Sequence, residues 1–124
     1  MAFSGQQQIV AVDDSGIVLK MLTKVLADKY DFHAFSNGTR ALEFLKTRVP
    51  NLIILDIEMP EINGYELLKM IKEQDKLKNV PVIFLTSNND KTHVVKAVQA
   101  GAKDYIVKPI DEVVLKEKIH SILG

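Results

Sequence analysis

Three carboxylates sit where short apolar runs stop: Asp13 and Asp14 follow Ile9-Val10-Ala11-Val12, and Asp56 follows Leu52-Ile53-Ile54-Leu55. A hydroxyl, Thr86, closes Val82-Ile83-Phe84-Leu85, and an amine, Lys108, follows Tyr105-Ile106-Val107. Carboxylates crowded into one crevice repel one another, and ionising all of them is costly unless a cation shares the site. Mg²⁺ suits such a set, because it accepts a few carboxylate oxygens and keeps its other positions for water or phosphate; Mn²⁺ is the expected substitute. A carboxylate can attack a phosphoryl group to form an aspartyl phosphate once a metal and an amine neutralise the oxygens. Asp56 is the candidate nucleophile, Lys108 supplies the second positive charge, and the Thr86 hydroxyl can donate to a phosphoryl oxygen.

This chemistry requires the five residues to meet. Five short β-rich runs, near 8–13, 31–35, 51–56, 81–86 and 103–107, alternate with five amphipathic stretches. The first, third and fourth are apolar throughout, as expected of interior parallel strands covered on both faces. Val18, Leu19, Leu22, Val25 and Leu26 repeat at helical spacing behind Ser15, a candidate N-cap. Ala41, Leu42 and Leu45 mark the second helix, and Leu67, Leu68 and Ile71 mark the third, after Asn63-Gly64. The fourth runs from about Lys91 to Ala100, with Gly101 as a left-handed terminator. Val113, Leu115, Ile119 and Ile122 mark the fifth. The pattern is (βα)5, a doubly wound α/β fold with one five-stranded parallel sheet. Ligands in such sheets bind outside the strand carboxyl ends, where the strand order reverses, and the aspartates lie there if strands one and three are neighbours.

Several other classes are excluded. Asp13-Asp14-Ser15-Gly16 is no glycine-rich dinucleotide loop, and no Walker A sequence is present. With 16 basic and 16 acidic residues, no net field favours direct nucleic-acid binding. The absence of cysteine rules out a disulfide framework and thiolate metal sites. No apolar run reaches the roughly 20 residues of a membrane span, and Met1–Gln8 lacks the features of a secretory signal, so a cytoplasmic location is expected. Asn37-Gly38-Thr39 matches a glycosylation sequon but reads as turn chemistry before a helix. His33, His93 and His120 lie on different elements without ligand spacing.

Taken in order, Val12-Asp13-Asp14-Ser15, Asp56-Ile57-Glu58-Met59-Pro60, Thr86-Ser87 and Tyr105-Ile106-Val107-Lys108-Pro109 resemble a CheY-like response regulator receiver domain of two-component signal transduction. The resemblance covers nearly the whole chain. It implies a flavodoxin-like sheet of order 2-1-3-4-5, phosphorylation of Asp56 by a histidine kinase or phosphotransfer protein, and a cis Lys108–Pro109 bond. It assigns Asp14, Asp56 and the backbone carbonyl of Glu58 as metal ligands, with Asp13 acting through a metal-bound water. It also implies a switch in which Thr86 moves toward the phosphate and Tyr105 turns inward, altering the helix 4/strand 5/helix 5 face read by a downstream effector. The chain is then expected to be one receiver domain over 1–124, with a flexible segment over 1–7, no effector domain, and no turnover of an external substrate.

Glu58 and Asn88, two residues beyond Asp56 and Thr86, are candidates for tuning the lifetime of the adduct. Ser87 adds a second hydroxyl beside Thr86. Receivers that dimerise through the fifth helix usually carry an acid where Val114 stands; Lys118 keeps the basic character without that acid. Lys91, Lys96, Lys103 and Lys116 are expected to make the switch face locally basic, suited to an acidic partner helix. Two other readings compete. A haloacid-dehalogenase-type phosphohydrolase needs a second Asp two residues after the nucleophile, where Glu58 stands, and a cap insertion. A receiver-shaped interaction scaffold would dispense with phosphorylation, and would not need the five site residues intact.

Overall fold

The apolar runs form the sheet. The computed structural model describes residues 6–87 and 91–124, and five parallel strands lie side by side in the order β2-β1-β3-β4-β5. They are β1 (Gln8–Val12), β2 (Asp31–Phe35), β3 (Leu52–Asp56), β4 (Val82–Thr86) and β5 (Asp104–Val107). Strands β3 and β4 are buried at every residue and β1 at all but its first, as their unbroken hydrophobicity requires. The two edge strands are only half-buried and carry the mixed sequences Asp31-Phe32-His33-Ala34-Phe35 and Asp104-Tyr105-Ile106-Val107.

Side chains on successive strand residues point to opposite faces, so the sheet builds two cores. Val10, Val12, Ile53, Leu55, Val82 and Phe84 face α2 (Gly38–Leu45), α3 (Gly64–Lys72) and α4 (Lys91–Gln99), which contribute Ala41, Leu45, Leu67, Leu68, Ile71 and Ala97. Ile9, Ala11, Leu52, Ile54, Ile83, Leu85 and Ile106 face α1 (Gly16–Leu26) and α5 (Glu112–Leu123), which contribute Leu22, Leu26, Leu115 and Ile119. The chain thus winds both ways from β1, and its order reverses between β1 and β3.

Short polar side chains start the helices. Ser15 Oγ accepts from the Val18 amide at 3.3 Å, and Asn37 Oδ1 accepts from Arg40 N at 2.9 Å. Asn63 and Glu66 form a reciprocal capping box at the start of α3, and Asp111 caps α5 through the amides of Val113 and Val114. Gly101, after α4, has φ +100, the left-handed conformation expected there. β1 ends at Val12, one residue before the expected limit, because the Asp13 carboxylate accepts from the Ser15 amide at 2.8 Å and turns the chain into α1. Of the N-terminal segment, residues 1–5 lie outside those described; Gln7 is tied down, its carbonyl accepting from Asp31 N and its side chain donating to Leu123 O. No helix among the described residues is long and apolar enough to cross a membrane.

Candidate functional site

The parallel ladders bring the four chemical strand ends to one edge. β1 pairs with β3 through Ile9↔Leu52 to Val12↔Leu55, β3 with β4 through Asp56↔Leu85, and β4 with β5 through Thr86↔Val107. Asp13 and Asp14 therefore emerge beside Asp56, at the point where the strand order reverses, with Thr86 and Lys108 on the far side. One carboxylate oxygen from each of Asp13, Asp14 and Asp56 lies within 4.8 Å of the others. Asp13 is wholly buried, Asp56 is 3% exposed and Thr86 4%, whereas Asp14 is open to solvent. The site thus has a buried floor and an exposed rim.

Lys108 joins the floor. Its ammonium lies 2.9 Å from Asp13 Oδ2 and 3.2 Å from Asp56 Oδ1, and it donates a hydrogen bond to the latter. Asp13 Oδ2 is thus held by the Lys108 ammonium in a short ion pair. The Lys108–Pro109 peptide is cis, as the family resemblance implies, and the Lys108 amide donates to Thr86 O at 2.7 Å. Burial and then the Asp13 charge push the Asp56 carboxyl up from 3.8 to about 7, against the pull of Lys108. For Lys108, burial acts to lower the pKa, but Asp13 and Asp56 outweigh it and the net direction is upward. The pocket therefore holds excess negative potential that one ammonium does not cancel. Three converging carboxylates, two of them buried, fit a hard divalent cation.

The β3–α3 loop shapes the opposite wall. Ile62 N donates to Pro60 O at 2.8 Å across Glu61, whose φ of 68 makes this a γ-turn with a left-handed central residue. The chain then returns so closely that Gly64 N donates to Ile57 O at 2.8 Å. A Cβ on Gly64 would collide with the Asp56 carbonyl oxygen and come within 2.8 Å of Ile57 Cα. Sequence reasoning used Asn63-Gly64 only as a helix start and missed this second role, which depends on a tertiary approach.

The Glu58 carboxylate does not join the three aspartates whose oxygens converge. Its Oε1 accepts a 2.7 Å hydrogen bond from Ser87 Oγ, and both residues are exposed. The ligand role expected of Glu58 therefore concerns its backbone carbonyl alone. Asn88 and the side chains of Lys91 and His93 lie outside the described residues. Tyr105 is half-buried on edge strand β5 beside Phe84, and the Lys118 ammonium stands 5.4 Å from its ring centroid. Lys118 also finds within the chain the acid that the fifth helix lacks: Asp104 Oδ1, at 2.8 Å. The expected basic patch is partly neutralised, since Lys116 pairs with Glu112 at 3.4 Å, while Lys96 keeps its charge 4.6 Å over the Tyr65 ring.

Comparison with known proteins agrees with this architecture. The family model described as "Response regulator receiver domain" matches residues 9–120. A two-component response regulator of rice (Oryza sativa subsp. indica), ORR11, is 41% identical over 105 residues, covering 82% of this chain and 71% of that protein. A probable cyclic di-GMP phosphodiesterase of Vibrio cholerae is 36% identical over 118 residues, which are 95% of this chain but 27% of the larger protein. The crystallised chemotaxis protein CheY4 of Vibrio cholerae superposes with a TM-score of 0.91 at 27% identity, covering 96% of this chain and all of that one.

Proposed function

Because this chain belongs to the response regulator receiver family of two-component signalling, we propose that Asp56 is its phosphoacceptor. Receiver domains act as phosphoacceptor switches rather than as enzymes with external substrates, and they work between a histidine kinase or phosphotransfer protein and an effector. One observation carries the assignment of Asp56: Lys108 Nζ bridges Asp13 and Asp56 at 2.9 and 3.2 Å, on the floor where three carboxylates converge. Asp56 ends the central strand, whereas both oxygens of Asp13 are engaged, one by the Ser15 amide and the other by the Lys108 charge.

In the transfer, an Asp56 carboxylate oxygen forms a bond to phosphorus while the bond to the donor's nitrogen or oxygen breaks, and the donor leaves with its electron pair. Lys108 stabilises the charge that builds on the phosphoryl oxygens, and the Thr86 hydroxyl donates to one of them once the adduct exists. Asp13, Asp14, Asp56 and the Glu58 carbonyl would hold Mg²⁺, or Mn²⁺ in its place, which supplies further neutralisation when bound. The signal then leaves through β4 and β5. Thr86 pairs with Val107, and Phe84 with Tyr105, so a shift at Thr86 acts on the strand that carries Tyr105. The phosphoryl group favours the arrangement with which it makes more contacts, and an effector docked on the α4/β5/α5 face favours phosphorylation in return.

The phosphohydrolase reading finds no support, because the receiver family model matches residues 9–120 and position 58 carries Glu where that reading needs Asp. The proposal is tested by incubating the protein with Mg²⁺ and acetyl phosphate and measuring intact mass. The parent should gain one labile phosphoryl group, and Asp56→Asn should not. Equal modification of Asp56→Asn would overturn the assignment.

A further inference from the structure

Asp104 and Lys118, fourteen positions apart on β5 and α5, form a bracket around the aromatic residue of the switch. Asp104 Oδ1 accepts two hydrogen bonds at 2.8 Å, one from Lys118 Nζ and one from the backbone amide of Tyr105. The two side chains are 34% and 29% exposed, so the pair is partly shielded and its geometry better held than that of a fully solvated ion pair. The carboxylate fixes the ammonium, and the ammonium stands 5.4 Å from the Tyr105 ring centroid, within the range of a cation–π contact. Tyr105 is also the edge residue that packs against the α2–α3–α4 core, next to Phe84.

We infer that Lys118, positioned by Asp104, is a latch that holds the Tyr105 ring at the sheet edge and sets how much of the unphosphorylated protein rests in the inactive arrangement. The inference rests on the phosphoacceptor reading and deepens it. The ion pair joins backbone-anchored groups on β5 and α5, so it can persist in both arrangements. The ring contact cannot: in the Thr86–Tyr105 switch of the receiver reading, on which the latch also rests, the ring moves toward Thr86 and leaves the ammonium. Lys118 therefore makes a differential contact with one state, which is what biasing an equilibrium requires. The chemistry also predicts which replacements matter. Arginine at position 118 can keep both the carboxylate bond and the stack on the ring. Methionine keeps an apolar stem but loses both, and Asp104→Asn weakens the bond that positions the ammonium.

The test measures beryllofluoride affinity in Mg²⁺ by NMR, following the Tyr105 and Thr86 amides. The parent should bind and Asp56→Asn should not. Lys118→Met and Asp104→Asn should each bind about two- to fivefold more tightly, as expected from losing one cation–π contact, and their Tyr105 amides should already be displaced toward the bound position. Lys118→Arg should stay within about twofold of the parent, and in a Tyr105→Leu background Lys118→Met should have no further effect. Unchanged affinity in both Lys118→Met and Asp104→Asn, or a Lys118→Met effect that survives in Tyr105→Leu, overturns the latch while leaving the phosphoacceptor intact. A parent that does not bind, or binding retained by Asp56→Asn, overturns the phosphoacceptor reading and the latch with it.

Discussion

Gly64 lies so close under the Asp56 carbonyl that no side chain fits between them. The first residue of α3 is thereby pressed against the backbone of the proposed nucleophile, and the Gly64 N–H to Ile57 O bond of 2.8 Å locks the approach. The obstacle to a larger residue is backbone rather than a flexible side-chain tip, so relief requires moving the strand end itself. Gly64→Ala should destabilise the fold by about 1–3 kcal/mol and slow acetyl phosphate modification by tenfold or more. Gly16→Ala is the matched control, since nothing lies within 4 Å of a Cβ there. Urea unfolding and modification rates of the two variants check this; a Gly64→Ala protein with parental kinetics would show that the approach does not position Asp56.

The electrostatics of Asp56 set a pH dependence for the metal-free protein. Its carboxyl titrates at about 7 in the fold against 3.8 for the free group. Between those values the folded state binds more protons than the unfolded one, so stability falls as pH rises. The favourable contribution is complete below about 4 and is lost as pH passes through about 7. Asn carries no titrating proton at this position, so metal-free Asp56→Asn should be more stable than the parent at pH 8 by on the order of 2–4 kcal/mol. The difference should shrink toward pH 5 and also on adding Mg²⁺. Denaturant unfolding at pH 5 and pH 8, with and without Mg²⁺, measures it; a difference independent of pH removes the electrostatic cause.

Much of this site is legible in the sequence because it depends on strand ends. Asp13, Asp56, Thr86 and Lys108 each follow a recognisable apolar run, and parallel pairing carries such residues to one edge without further information. The cap at Ser15 is legible for a similar reason, since its bond with the Val18 amide spans three residues. Other features depend on the direction of side chains across elements distant in sequence. The closeness of Gly64 to Asp56 follows from how tightly α3 returns onto β3. The Asp104 partner of Lys118 belongs to a different element, and the Glu58–Ser87 bridge links two loops that meet only after β3 and β4 pair. None of these has a periodic or local signature.

The rim should distinguish protein donors from small ones. Ile17, in the first turn of α1 and three residues after Asp14, is 84% exposed, a large apolar side chain on the element that the acidic pair leads into. A phosphohistidine-bearing partner must cover this rim to reach Asp56, whereas acetyl phosphate need not. Ile17→Asp should reduce transfer from a protein donor by at least tenfold, as expected for an apolar contact at an interface centre, and leave acetyl phosphate modification within about twofold. Parallel assays with the two donors settle the point, and equal loss with both would place Ile17 in the chemistry rather than in docking.

The hydrogen bond from Ser87 Oγ to Glu58 Oε1, 2.7 Å long, joins the segments that follow β3 and β4. Both partners are exposed, so the bond contributes little to stability, but it fixes a carboxylate two residues beyond Asp56 by tying it to the residue after Thr86. Opening the bridge should alter the adduct's lifetime more than the rate at which it forms. If the two residues act as one unit, Glu58→Ala, Ser87→Ala and the double variant should change the hydrolysis rate by the same factor, about two- to tenfold, because either single change already breaks the bond. If Glu58 acts through its charge alone, Ser87→Ala should leave the rate unchanged. Asn88, the other tuning candidate, joins this comparison as Asn88→Ala. Decay of the phosphorylated species followed by intact mass, with acetyl phosphate removed, separates these cases, and parental lifetimes in all the variants would show that the bridge has no part in hydrolysis.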